Sequence, residues 1–266
     1  MSTDVPAYEV YALKYGSTTV RKSGKYHRFA DYRDPDAEVA LDFYFWLLRS
    51  PARTVLVDCG YDDVRTAARG YLQDAHPLAL LESVGVAATD VDHVVLSHLH
   101  FDHIGNVDLF PRATFSVARA ELDYWTGPFA DRRMICESGD RVEIERVVDL
   151  QRAGRVRLVE GTTELFPGVE VTPMRGHTPG QLLTRVTTRD GVVVLASDAI
   201  HFYEEMRLDR PYWIFHDLEG MYHGYELLRR WEREPGTTIV AGHDPAVMSM
   251  FAPVNGACVD LTQALL

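Results

Sequence analysis

Val94-Val95-Leu96-Ser97-His98-Leu99-His100-Phe101-Asp102-His103 is the stretch that decides how this chain is read. Its apolar start reads as the end of a buried strand. His98, His100, Asp102 and His103 then follow within six positions. Charged and imidazole groups need partners when they are buried. Crowded together without a cation, they compete for the same space. Neutral imidazoles and ionised carboxylates are ligands of divalent cations, and a cation removes the conflict.

Three other stretches repeat this placement. His177 lies in Arg175-Gly176-His177-Thr178-Pro179-Gly180, just past a strand ending at Met174. Asp198 follows Val192-Val193-Val194-Leu195-Ala196, and His243 follows Thr238-Ile239-Val240-Ala241-Gly242. In each case an apolar strand delivers a ligand at its carboxyl end, where α/β sheets tend to put their sites. Gly176, Gly180 and Gly242 allow tight backbone turns beside these ligands.

His-x-His-x-Asp-His, a distant Gly-His, an Asp after a strand and a late Gly-His-Asp, in that order, resemble the metallo-β-lactamase superfamily. Asp58-Cys59-Gly60, after Val55-Leu56-Val57, looks like the family's early Asp-x-Gly turn. The resemblance runs from about residue 6 to 250. It implies an α/β fold, an αββα sandwich of two mixed β-sheets flanked by helices, with the metals at one edge of the sheets. It further implies two divalent metal ions, with zinc preferred. The first would take His98, His100 and His177, the second Asp102, His103 and His243, and Asp198 would bridge them. A hydroxide between the cations, its pKa lowered by both, would attack an ester-like carbonyl.

The variable positions narrow the branch. His100 stands where the flavodiiron branch has glutamate, and Asp198 where many true β-lactamases have cysteine. The N-acyl-homoserine lactonase-like branch is similar in Ser97–His103, in Gly176–Gln181 and in Gly242-His243-Asp244. That branch has tyrosine three residues after the bridging aspartate, aimed at the substrate carbonyl. Here His201 holds that position and Tyr203 comes two residues later. The implied catalytic residues are Asp102, carrying a proton to the departing alkoxide, and His201 or Tyr203, assisting at the carbonyl. Asp58 is expected to orient a ligand imidazole without touching metal. The expected substrate is a small molecule, a lactone. A thioester, cyclic amide or phosphoester is the alternative, and a non-catalytic metal-binding protein a further one.

The remaining sequence frames the site. Expected strands are 6–14, 38–48, 53–58, 92–97, 113–118, 169–174, 181–188, 191–196 and 237–241. Helices are expected over 76–84, from near Arg119, and over 218–233, where Asp217 is a candidate cap. Arg21 to Asp36 reads as a loop. The aromatic stretch from His201 to His216 reads as a pocket wall, or as core or a homodimer contact. His27, His76, His93, His216 and His223 read as ordinary core or surface residues.

At 266 residues with 46% apolar content, the chain can bury a sizeable core, and no linker divides it, so residues 1–266 are read as one domain. A formal charge of −12 disfavours nucleic acid and anionic membrane as partners. It also argues against a ribonuclease Z-like enzyme, and Phe251–Leu266 lacks the basic residues a glyoxalase II needs for glutathione. No apolar run of membrane-spanning length occurs. The start, Met-Ser-Thr-Asp-Val-Pro, lacks the pattern of a signal peptide. Cys59, Cys136 and Cys258 form no disulfide or metal-binding pattern, and a cytoplasmic location is expected.

Overall fold

The computed structural model describes residues 6–71 and 73–265; residues 1–5, on which the signal-peptide reading rests, lie outside the described residues. The strands are β1 (Glu9–Arg21), β2 (Glu38–Ser50), β3 (Arg53–Val57), β4 (His93–Val95), β5 (Thr114–Ala118) and β6 (Val156–Val159). They continue with β7 (Thr163–Phe166), β8 (Val169–Met174), β9 (Gln181–Thr187), β10 (Val192–Ser197), β11 (Thr237–Ala241), β12 (Phe251–Asn255) and β13 (Cys258–Ala264). The helices are α1 (Asp63–Thr66), α2 (Pro77–Ser83), α3 (Phe101–Ile104), α4 (Arg119–Trp125) and α5 (Arg133–Cys136). After these come α6 (Arg141–Arg152), α7 (Tyr203–Leu208), α8 (Leu218–Glu232) and α9 (Val247–Met250).

The strands form two mixed sheets, one of order β12-β13-β1-β2-β3-β4-β5-β6 and one of order β11-β10-β9-β8-β7. Strand β2 explains why they stack. Its Tyr44, Trp46 and Leu48 join the core shared with Val171, Leu183 and Val193 of the second sheet. Its Phe43, Phe45 and Leu47 face the other way, into a core with Leu80 and Leu81 of α2 and Ile144 and Val147 of α6. Alternate residues of a strand point to opposite faces, so an apolar strand must be covered on both. On the far side of the second sheet, α8 presents Met221, Tyr225, Leu228 and Trp231 to Val194 and Ile239. The result is a helix–sheet–sheet–helix sandwich, as the family resemblance implied.

Two expectations need adjustment. Strand β1 runs on to Arg21 because it pairs with β2 along its length, including Val20 with Val39. Asp217 does not cap α8 with its side chain; its carboxylate pairs with Arg175 at 2.8 Å instead. Strands β6, β7, β12 and β13 and helix α6 were not anticipated. Charged residues interrupt β6, β7, β13 and α6, Pro253 interrupts β12, and tertiary pairing supplies what local pattern does not. Asp140 caps α6 by accepting from the amides of Val142 and Glu143. No helix among the described residues is long and apolar enough to cross a membrane.

Candidate metal centre

Each expected ligand sits just past a strand. His98 and His100 follow β4, and Asp102 and His103 occupy the first turn of α3. His177 lies between β8 and β9, Asp198 directly after β10, and His243 two residues past β11. Parallel pairing of β10 with β11, Leu195 against Val240, brings Asp198 beside His243. At Gly242 the chains touch so closely that a Cβ would lie 2.6 Å from the Ser197 carbonyl oxygen and 2.9 Å from Asp198 Oδ1.

The seven side chains converge. His98, His100, His177 and Asp198 form one cluster able to hold a cation, and Asp102, His103 and His243 form a second. Asp198 faces both. Its Oδ2 lies 3.7 Å from His98 Nε2 and 3.3 Å from His177 Nε2. Its Oδ1 lies 3.4 Å from His103 Nε2 and 3.1 Å from His243 Nε2. His177 Nε2 and His100 Nδ1 meet at 3.0 Å.

The far side of each ring is fixed. His103 Nδ1 lies 2.7 Å from Asp58 Oδ2, the partnership expected of Asp58. That carboxylate also accepts from the Ser97 amide and hydroxyl, both at 2.7 Å. His177 Nδ1 meets the Ile214 carbonyl at 2.9 Å, and His243 Nδ1 the Asp42 carbonyl at 2.7 Å. These partners fix the tautomer and aim Nε2 inward.

The donor set fits divalent cations on two grounds. His98 Nε2, His103 Nε2 and Asp198 Oδ1 are buried and make no hydrogen bond. Burial of such groups without a partner is costly, and they share one focus. Burial also holds His98 and His177 well below the usual imidazole pKa and His100 down at about 3, so their lone pairs are free. His103 differs. Burial would lower it too, but Asp102, Asp198 and Asp58 outweigh burial and raise it. Burial works against the Asp198 charge, yet His243, His201 and His103 keep that carboxyl well below its ordinary value.

The two residues considered for the carbonyl separate. His201 lines the cavity, with Nε2 3.1 Å from Asp198 Oδ2 and Nδ1 3.3 Å from Glu205 Oε1. Its ring stacks on Tyr212 at 3.6 Å. Tyr203 does not reach the cavity. It opens α7 within the core, and its hydroxyl donates to the Ile239 carbonyl at 3.2 Å. Helical geometry turns it away from His201, so the expectation for Tyr203 is corrected. The phenol at this wall is Tyr212. Its strand-like bridge to Tyr26 ties the aromatic stretch to the 21–36 loop. Within that stretch Trp213 is about half exposed, while Phe202 is buried. Further walls come from Leu41, Phe43, Tyr71, Phe101 and Ile214.

Sequence reasoning missed Glu121 and Glu205, both with no exposed surface. Glu205 Oε1 accepts from the His201 and Phe202 amides at 2.9 and 3.0 Å. The signal for Glu121 was its spacing. It stands four residues before Trp125, on the face of α4 that Leu122 and Trp125 bury. Among the histidines read as ordinary, His93 is satisfied by the Thr114 and Ser116 hydroxyls.

A sandwich of this layering, with paired His/Asp clusters at the strand ends, defines a metal-binding α/β hydrolase scaffold. The profile of the metallo-beta-lactamase superfamily matches residues 44–243, and the chain belongs to that superfamily. It is 25% identical to an N-acyl homoserine lactonase AttM of Azorhizobium caulinodans, over 93% of this chain and 97% of that one. To an N-acyl homoserine lactonase of Bacillus cereus it is 26% identical, over 77% of this chain and 82% of that one. Among solved structures, an N-acyl homoserine lactone hydrolase with N-hexanoyl-L-homoserine at its catalytic metal centre superposes with a TM-score of 0.76 at 21% identity. That match covers 94% of this chain and 98% of the other. The dizinc quorum-quenching lactonase AidC superposes with a TM-score of 0.70 at 18% identity, over 91% and 89%.

Proposed function

We propose that this protein is a dinuclear metal-dependent hydrolase that opens the ester bond of a small lactone. The observation that carries the reading is Asp198, whose two oxygens face separate His/Asp clusters and so suit a bridging ligand. The named lactonase relatives, similar over most of their length, support the choice of substrate. Zinc suits the nitrogen and oxygen donors.

When bound, the cations supply Lewis acidity and ionise water at neutral pH. The remaining work falls to the chain. Asp102 lines the cavity and is the acid–base group that moves a proton to the departing alkoxide. His201, held between Glu205 and Asp198 and stacked on Tyr212, donates a hydrogen bond to the carbonyl oxygen. Leu41, Phe43, Phe101 and Ile214 exclude water and suit a partly apolar substrate. The chain acts as one catalytic domain, and its free cysteines suit a reducing compartment such as the cytoplasm.

The test is metal analysis followed by proton-release assays on lactones, thioesters, amides and phosphoesters. Lactone turnover by protein carrying two metals is expected. Asp102→Asn should lower kcat by about 100-fold or more with little change in KM. A fully metallated protein inert to every lactone would end the substrate assignment, and an unimpaired Asp102→Asn would end the role of Asp102.

A further inference from the structure

Glu121 has no part in the chemistry above, yet its buried carboxylate is engaged on both sides. Oε1 accepts from the Leu99 amide at 3.0 Å and from Trp125 Nε1 at 2.8 Å. Oε2 accepts from the Gly180 amide at 3.0 Å. Leu99 stands between His98 and His100, and Gly180 comes three residues after His177. Trp125 in turn meets the His100 ring edge-on, with centroids 5.6 Å apart. All three partners therefore lead to one ligand set. His103 and His243, of the other set, are braced by Asp58 and by the Asp42 carbonyl.

The contact leaves no slack. A Cβ at Gly180 would lie 2.4 Å from the Glu121 amide nitrogen, so helix and loop meet backbone to backbone. Each of these three partners is an N–H donor, and a carboxylate, which only accepts, can satisfy all of them. Charge-assisted bonds of this kind are the strong ones.

We propose that Glu121 is a positioning residue that staples the His98–His100 loop to the His177 loop and thereby governs the affinity of one cation of the pair. The inference rests on the reading of the centre as dinuclear. Leu99 and Gly180 are held before any cation arrives, so His98, His100 and His177 need little reordering on binding. Glutamine at this position offers one acceptor oxygen and turns an NH₂ group against a facing N–H. One ligand loop then loses its anchor.

The experiment titrates metal-free wild type and Glu121→Gln with zinc against a chromophoric chelator, with thermal melts to verify folding. Wild type should take up two ions. The variant should bind one ion as wild type does and the other about 10- to 100-fold more weakly. Glu121→Asp, which keeps the charge on a shorter arm, should fall between them. Two wild-type affinities in Glu121→Gln would overturn the proposal, and so would equal weakening of both ions. Wild type that takes up no zinc would sink the dinuclear reading instead. Should Glu121→Gln not fold, amide exchange in the metal-free wild type decides. Slow exchange at Leu99 and Gly180 supports the staple; exchange as fast as at the exposed Asp131 overturns it.

Discussion

Glu143 carries a stability cost that a single substitution can expose. Its carboxyl is fully buried at the start of α6, neither oxygen makes a hydrogen bond, and Arg65 is 3.9 Å away. Burial, reinforced by Asp140, pushes its pKa from 4.5 up to about 8. The folded protein therefore keeps this acid protonated where the unfolded chain ionises it. Stability from this group is complete below about pH 4.5, falls as pH rises toward 8, and is level above that. Glu143→Gln removes the titration. Relative to wild type it should gain on the order of 1–3 kcal/mol between pH 5 and pH 8, read from denaturant unfolding at both values. An unchanged difference between the two pH values would show that the carboxyl is ionised in the fold. Other single residues were legible earlier. The seven candidate ligands were legible from their placement at strand ends, where few other roles justify so many polar groups, and Asp58 from the early Asp-x-Gly turn of the family resemblance. Tyr203 shows the converse: two positions, from His201 before α7 to Tyr203 at its first turn, separate a cavity wall from the core.

Strand ends, more than individual ligands, set the geometry of the centre. The parallel register of β10 and β11 brings Gly242 against Asp198, the carboxylate that faces both clusters. Gly242→Ala must push on the Ser197 carbonyl or on Asp198 itself. We expect a loss of about 1–3 kcal/mol in stability and, if the centre takes two cations as proposed, weaker binding of both, measured by thermal melts and zinc titration. Wild-type affinity for both ions would mean the register has room to relax. This pattern differs from that of Glu121→Gln, which should touch one ion only. The longer apolar strands and α8 were readable because their periodicity is strong. Strands β6 and β7 and helix α6 were not, because Arg157, Glu164 and the charges of α6 break the pattern, and pairing with neighbours decides their state.

Across the whole molecule, the metal centre lies where the ends of both sheets meet, so its loading should be coupled to global stability. Anything that binds only the folded state stabilises it by mass action. Removing metal with a chelator should lower Tm by at least about 5 °C, given roughly 2–4 °C for each kcal/mol lost in a chain of this size. Adding zinc back should restore it. A Tm indifferent to chelation would show that the folded protein holds no cation that the unfolded chain does not.

The order of ligands along the chain, the strands that carry them and the layered α/β class followed from the sequence, because each depends on local spacing and hydrophobic period. Apart from Asp58, the groups that stand behind those ligands were decided only by tertiary structure. Glu121 and Tyr212 meet partners far away in the sequence, and a buried acid such as Glu121 or Glu205 looks like any surface acid until the chain folds over it. Desolvation and hydrogen-bond geometry depend on what surrounds a side chain, and no one-dimensional pattern records that.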